Sequence, residues 1–209
     1  MSLFFSLLAL LADIGIVVGV LMLVAPRLPA GVGRPLLELR ALVAPASIWL
    51  AWLVATVATL GSLYFSEAAH FLPCKMCWFQ RIGMYPLALI LGIAAFRRDL
   101  GIRVYAVPLA VLGAMVSSYH YFIEWFPRFE SGSCDPTVPC TLIWFRRLGF
   151  MTLPYMALTG FLSIIVLLAL PGGSRRDSDR DSPNLQAPRH EQLSGGSVPG
   201  PVHEHQLTR

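Results

Sequence analysis

Apolar residues fall in five long runs, at about 3–25, 42–65, 78–96, 102–124 and 149–170, with short polar breaks between them. Each run is close to the roughly 20 residues an α-helix needs to cross the hydrocarbon of a bilayer. The breaks are Pro26 to Arg40, Glu67 to Lys75, the Arg97-Arg98-Asp99 turn, and the longer Trp125 to Arg147 loop. Pro45, Pro86, Pro108 and Pro154 lie within or beside the runs. They do not forbid helices there, because neighbouring helices satisfy the backbone groups a proline frees. The pattern predicts an all-α membrane protein with five spanning helices.

Composition agrees. Charged residues make up 13% of the chain and apolar residues 56%, whereas a soluble domain carries roughly 25% charged residues. The 209 residues leave room for one membrane domain and a tail. Beyond Pro171 large apolar side chains nearly vanish, so residues 171–209 are expected to be a disordered cytoplasmic tail. His203-Glu204-His205 within it is set aside as a site. The first run lacks a basic leading segment and a clean small-residue cleavage site, and reads as a retained helix rather than a signal peptide. Asp13 lies mid-span. An intramembrane carboxylate invites a functional reading, but a hydrogen bond to Ser or Thr on a neighbouring helix is the plainer one.

The net charge of +4 is distributed as topology information, not as a nucleic-acid footprint. One set of connections holds Arg27, Arg34, Arg40, Arg97, Arg98, Arg103, Arg175, Arg176 and Arg180; the other holds Lys75, Arg81, Arg128, Arg146 and Arg147. The richer set is expected in the cytoplasm. That places the amino terminus outside and the carboxyl tail inside. It also places all four cysteines on the outer, oxidising face, where disulfides persist.

Those cysteines form two pairs, Cys74/Cys77 and Cys134/Cys140, each in a polar break. Cys74-Lys75-Met76-Cys77 opens a helix, where unpaired N–H groups and the helix dipole favour a thiolate, and Lys75 adds positive charge. Arg81 lies one turn beyond Cys77 on the same face. The plainer readings are half a zinc site for the cysteines, a snorkelling anchor for Arg81 and an interfacial belt for Trp78 and Phe79. Cys134 and Cys140 bracket a proline-stiffened loop, either as a structural staple or as an exposed, reactive disulfide. Two dithiol couples at one membrane face suggest electron transfer by thiol–disulfide exchange.

The run Cys-Lys-Met-Cys-Trp-Phe-Gln-Arg-Ile-Gly-Met-Tyr-Pro resembles the signature of the DsbB/BdbC thiol:disulfide oxidoreductases of bacterial membranes. Ser118-Tyr119-His120-Tyr121 and the stretch Trp144-Phe145 to Thr152-Leu153-Pro154 are similar to the BdbC-type members. The resemblance covers about residues 42–170 and implies a four-helix transmembrane bundle there, leaving 1–41 as an extra N-terminal transmembrane helix with a cytoplasmic connection. It further implies an enzyme of the bacterial inner membrane that supports disulfide formation in exported proteins. Such an enzyme reoxidises an extracytoplasmic thioredoxin-fold oxidase (DsbA/BdbD-like) and passes electrons to a quinone, ubiquinone or menaquinone. By position, Cys134 and Cys140 would exchange with the partner, Cys134 forming the mixed disulfide. Cys74 and Cys77 would face the quinone, with Cys77 as the thiolate beside the ring and Arg81 beside its oxygen. His120 would lie near the quinone pocket, its alternative being a polar residue at the interface. No metal is expected in this scheme.

Three rivals remain. In the first, the four cysteines cage a structural zinc ion in a membrane scaffold protein. An outward carrier of reducing equivalents would need cysteines within the helices or reachable from inside, and the chain has none. A quinone reductase of the vitamin K epoxide type shares the chemistry but differs in pair spacing and bundle order.

Overall fold

The computed structural model describes residues 2–130, 132, 134, 135 and 137–170. The tail from 171 onward, with His203-Glu204-His205, lies outside them. The helices are α1 (Ser2–Val24), α2 (Ala30–Val43), α3 (Ser47–Leu63), α4 (Lys75–Arg97), α5 (Arg103–Trp125) and α6 (Leu153–Ala169). No strand occurs among the described residues.

Among the described residues, four helical stretches are long and apolar enough to span a membrane: Leu3–Arg27, Gly31–Ala68, Lys75–Arg97 and Leu100–Trp125. The fifth expected span, α6, is equally apolar but has 17 residues, about 26 Å of helix at 1.5 Å per residue. It starts at Leu153 rather than 149 because Pro154 takes the first turn, where its missing N–H costs nothing. Just before it, Arg147 and Met151 exchange backbone hydrogen bonds of 2.9 Å around Leu148 and Gly149. Both of those residues have positive φ.

The polar connection expected over 26–41 differs from the reading of the sequence: most of it is helix α2. Leu36, Leu37, Leu39 and Leu42 share that helix with Arg34, Glu38 and Arg40, so it combines apolar and charged positions. Arg40 Nε donates to the carbonyl of Leu170 at 2.9 Å, tying α2 to the end of α6.

The bundle core is built from small residues on some helices and large ones on others. Ala51 and Ala55 of α3 and Ala106 and Ala110 of α5 surround Leu87 and Leu91 of α4 and Phe161, Ile164 and Leu168 of α6. Small side chains let backbones approach, as helix contacts in lipid require. Gly113 marks a tight place, since a Cβ there would collide with the Phe161 ring. α1 is part of the same unit. Gly19 leaves room for Val166 of α6, and Phe5 packs its ring 5.2 Å from that of Phe65. The partner of Asp13 is not Ser or Thr: Tyr155 Oη donates to its carboxylate at 3.0 Å.

The chain direction brings the start of α1, the end of α3, the start of α4, the end of α5 and the start of α6 to one end of the bundle. Cys74 and Cys140 are buried together there with Ile123, and Cys77 and Cys134 pack against them. Arg40, Arg97, Arg98 and Arg103 belong to the helix ends at the opposite pole.

Candidate redox site

Cys74 is the residue that caps α4, and the backbone N–H of Cys77 donates to its sulfur at 3.3 Å. A side-chain oxygen usually fills this position; here a sulfur does, facing the positive end of the helix dipole. The two sulfurs lie 2.9 Å apart. Lys75, expected to stabilise the thiolate, is exposed. The groups that act on Cys74 are others. A hydrogen bond from the Cys77 thiol, assisted by His120, outweighs desolvation and holds the Cys74 thiol far below its ordinary 9.0, at about 4.

His120 comes from the last turns of α5 and is buried. Its Nε2 lies 3.6 Å from Cys74 Sγ and 3.1 Å from the carbonyl oxygen of Cys140. A carbonyl only accepts, so Nε2 carries the hydrogen, and Nδ1 is left to accept from the Gln80 side-chain amide at 3.2 Å. Gln80, one turn into α4, therefore fixes the tautomer. Glu124, a further turn along α5, is buried with one carboxylate oxygen lacking a hydrogen-bond partner.

Cys134 and Cys140 are joined as a disulfide, with Cα atoms 5.9 Å apart. Cys140 is 1% exposed, whereas Cys134 is half-buried. The Asp135 carboxylate accepts from the Thr137 backbone N–H at 2.8 Å and from its hydroxyl at 2.7 Å. These bonds stiffen the loop and hold Asp135 below the usual carboxylate range. Because two of the four sulfurs are bonded to each other, the cysteines do not form a four-thiolate zinc cage. The donor set that remains is Cys74, Cys77 and His120, whose ligand atoms lie within 4.8 Å of one another.

On the other side of Cys77 a cavity of about 310 Å³ opens between α1, α3, α4 and α6. Cys77, Gln80, Arg81, Tyr85, Ser62, Ser66 and Thr159 supply polar groups to its lining, and its walls are otherwise largely apolar. Arg81 is aimed by α3: its Nε donates to Ser62 Oγ at 3.0 Å and an Nη to the Ser62 carbonyl at 3.2 Å. Tyr85 Oη donates to the same hydroxyl at 3.4 Å. Trp144, from the loop before α6, lines the cavity and stacks on Phe71 with ring centres 4.8 Å apart.

The structure thus brings Cys74, Cys77, Cys134, Cys140 and His120 into one cluster and sets Arg81 on the cavity beside Cys77. Sequence reasoning missed Ser62, Gln80 and Glu124. Gln80 lay inside the signature run, and Glu124 lay one turn from His120 on a helix that is otherwise apolar there. Nothing local distinguished Ser62.

An all-α multi-pass membrane protein with two cysteine pairs packed at one end of its bundle is built as a disulfide oxidoreductase. The chain belongs to the family described as disulfide bond formation protein DsbB, whose model matches residues 44–170. It is 44% identical over 131 residues to disulfide bond formation protein C of Bacillus subtilis (strain 168), covering 62% of this chain and 95% of that one. It is 46% identical over 121 residues to the probable disulfide formation protein C 1 of Bacillus anthracis, covering 57% and 87%. It is 43% identical over 127 residues to the probable disulfide formation protein of Coxiella burnetii, covering 59% and 86%. No solved structure matches.

Proposed function

We propose that this protein carries two electrons from a reduced thioredoxin-fold oxidase outside the cytoplasm to a membrane quinone, ubiquinone or menaquinone, in the bacterial inner membrane. The observation that carries this reading is the two-sided setting of the Cys74/Cys77 pair. Cys74 meets Cys140 at His120, while Cys77 lines an apolar cavity together with Arg81. The opposite pole holds Arg40, Arg97, Arg98 and Arg103, which under the positive-inside rule supports an outer position for the cysteines.

A partner thiolate attacks Cys134, the more exposed sulfur. The Cys134–Cys140 bond breaks, a mixed disulfide forms, and Cys140 leaves as a thiolate. The partner's second thiolate then resolves the mixed disulfide, so the partner becomes oxidised and Cys134 and Cys140 reduced. Next, Cys140 attacks Cys74 of an oxidised Cys74–Cys77 pair, releasing Cys77. Cys134 attacks Cys140, which restores the outer disulfide and releases Cys74 as a thiolate. His120 serves this exchange by donating to both the Cys140 carbonyl and the Cys74 sulfur.

The cavity suits a quinone: Arg81 and Tyr85 can meet a carbonyl oxygen, and the apolar walls suit an isoprenoid tail. When bound, a quinone supplies the two-electron sink that makes the cycle downhill. Cys77 would be the exit for the electrons: its thiol proton passes to Cys74 along the contact between the two sulfurs, and as two electrons leave the pair the Cys74–Cys77 bond re-forms. Each cycle moves two electrons and two protons from partner dithiol to quinone.

Thiol trapping in cells with and without quinone synthesis tests the reading. Quinone depletion is expected to leave all four cysteines reduced; persistence of both disulfides would overturn it.

A further inference from the structure

The acceptor cavity has a wall that the family match does not include. Phe5, Leu8, Ala9 and Ala12 of α1 all line it, and the match begins only at residue 44. Their spacing of three, four and seven residues puts them on one helical face. The opposite face of α1, with Leu7, Leu11, Ile14 and Val17, is exposed as a lipid-facing surface would be.

This wall is held firmly in place. Phe5 lies so close to α3 that a Cβ on Gly61 would come within 2.8 Å of its ring. Gly19 lets α1 approach Val166 of α6, and between these two points Tyr155 donates to Asp13. From Phe5 to Ala12 the face runs about 10 Å down the bundle, at 1.5 Å per residue, away from Cys77 and Arg81. It passes from an aromatic ring near the polar end to two alanines farther in. On α3 the cavity follows the same course, from Ser62 back to Leu53.

We propose that α1 forms the tail-binding wall of the acceptor site, and that through Leu8, Ala9 and Ala12 it selects quinones by the bulk and length of their apolar chain. This rests on the quinone reading above and adds what that reading leaves open: which part of the chain meets the tail. A two-carbonyl ring held at Cys77 and Arg81 has to send its substituent along the apolar part of the cavity, and α1 closes that part on one side. The small side chains at positions 9 and 12 provide the room.

The test uses the full-length protein in detergent and two probes with the same dimethoxy-methyl-benzoquinone ring, one without a tail and one with a decyl tail. A larger side chain at Ala12 takes the space of about two tail methylenes. Ala12→Phe is therefore expected to raise the ratio of KM for the decyl quinone to KM for the tail-less one about tenfold. Ala9→Leu should move the ratio in the same direction and covers the case in which Ala12→Phe fails to fold. The second readout is binding: a decyl-type quinone with a diazirine on its tail, photolysed on the wild-type protein and mapped by mass spectrometry. Adducts are expected within the α1 peptide containing Leu8 to Ala12, and excess unlabelled decyl quinone should suppress them. Adducts confined to α3, α4 and α6, or an unchanged KM ratio, would overturn the inference while leaving the quinone reading intact. If the wild-type protein reduces neither quinone, both fall.

Discussion

His120 Nε2 donates to the carbonyl oxygen of Cys140 at 3.1 Å. The same nitrogen lies 3.6 Å from Cys74 Sγ, so one imidazole joins the two redox pairs. A hydrogen bond to a charged group is worth about 1.5–3 kcal/mol, and one pKa unit is about 1.4 kcal/mol. His120→Ala should therefore raise the Cys74 pKa by about one to two units and slow exchange between the pairs. His120→Gln, which keeps a donor, should recover part of both effects. Thiolate absorbance near 240 nm and the rate at which a dithiol donor reduces the inner pair are the readouts. Unchanged values in His120→Ala would remove the imidazole from the scheme.

The low Cys74 pKa makes the dithiol state depend on pH in a defined direction. The folded value, about 4, lies below the ordinary 9.0, so between them the unfolded chain binds a proton that the folded chain does not. The contribution of Cys74 to the stability of the reduced protein should therefore be complete above pH 9, decline as the pH falls through this window, and be lost below about 4. In a Cys134→Ser/Cys140→Ser background, one thiolate should absorb near 240 nm at pH 6 and disappear on adding Cys74→Ala. A thiolate signal that rises only near pH 9 would contradict the assignment.

Cys140 is 1% exposed and Cys134 is half-buried, so an incoming thiolate should meet Cys134. A thioredoxin-fold protein with a single active cysteine should form a mixed disulfide that peptide mapping assigns to Cys134. Assignment to Cys140 would reverse the order of the outer exchange.

The close packing of α5 on α6 at Gly113 predicts a stability effect away from the cysteines. Gly113→Ala places a methyl group into the Phe161 ring, an overpacking that typically costs about 1–3 kcal/mol. Thermal unfolding in detergent should shift downward. Gly15→Ala, where a Cβ would meet nothing within 4 Å, should cause no such loss.

Much of the fold was legible because a membrane helix must be apolar over a fixed length, and the runs recorded that directly. The positions of Cys74 and Cys77 at a helix start followed from the polar break before Trp78. The amphipathic helix α2 was not foreseen, because three prolines and several charges between Pro26 and Arg40 read as a connection. Lys75 was assigned a role from its neighbourhood in sequence, but it is exposed; the groups acting on Cys74 are Cys77 and His120, the latter 46 positions on. Ser62 was beyond reach for the same reason. A serine near the end of an apolar helix becomes the anchor of Arg81 only when α3 and α4 pack together.

We propose that electrons leave through Cys77 into the cavity it shares with Arg81. Anaerobic mixing of the fully reduced protein with a short-chain quinone tests this most directly, following quinone absorbance and the Cys74–Cys77 bond together. One quinone should be reduced for each disulfide formed in the wild-type protein, two per fully reduced chain, and Cys77→Ser should reduce none. Quinone reduction by Cys77→Ser at the wild-type rate would rule out Cys77 as the exit.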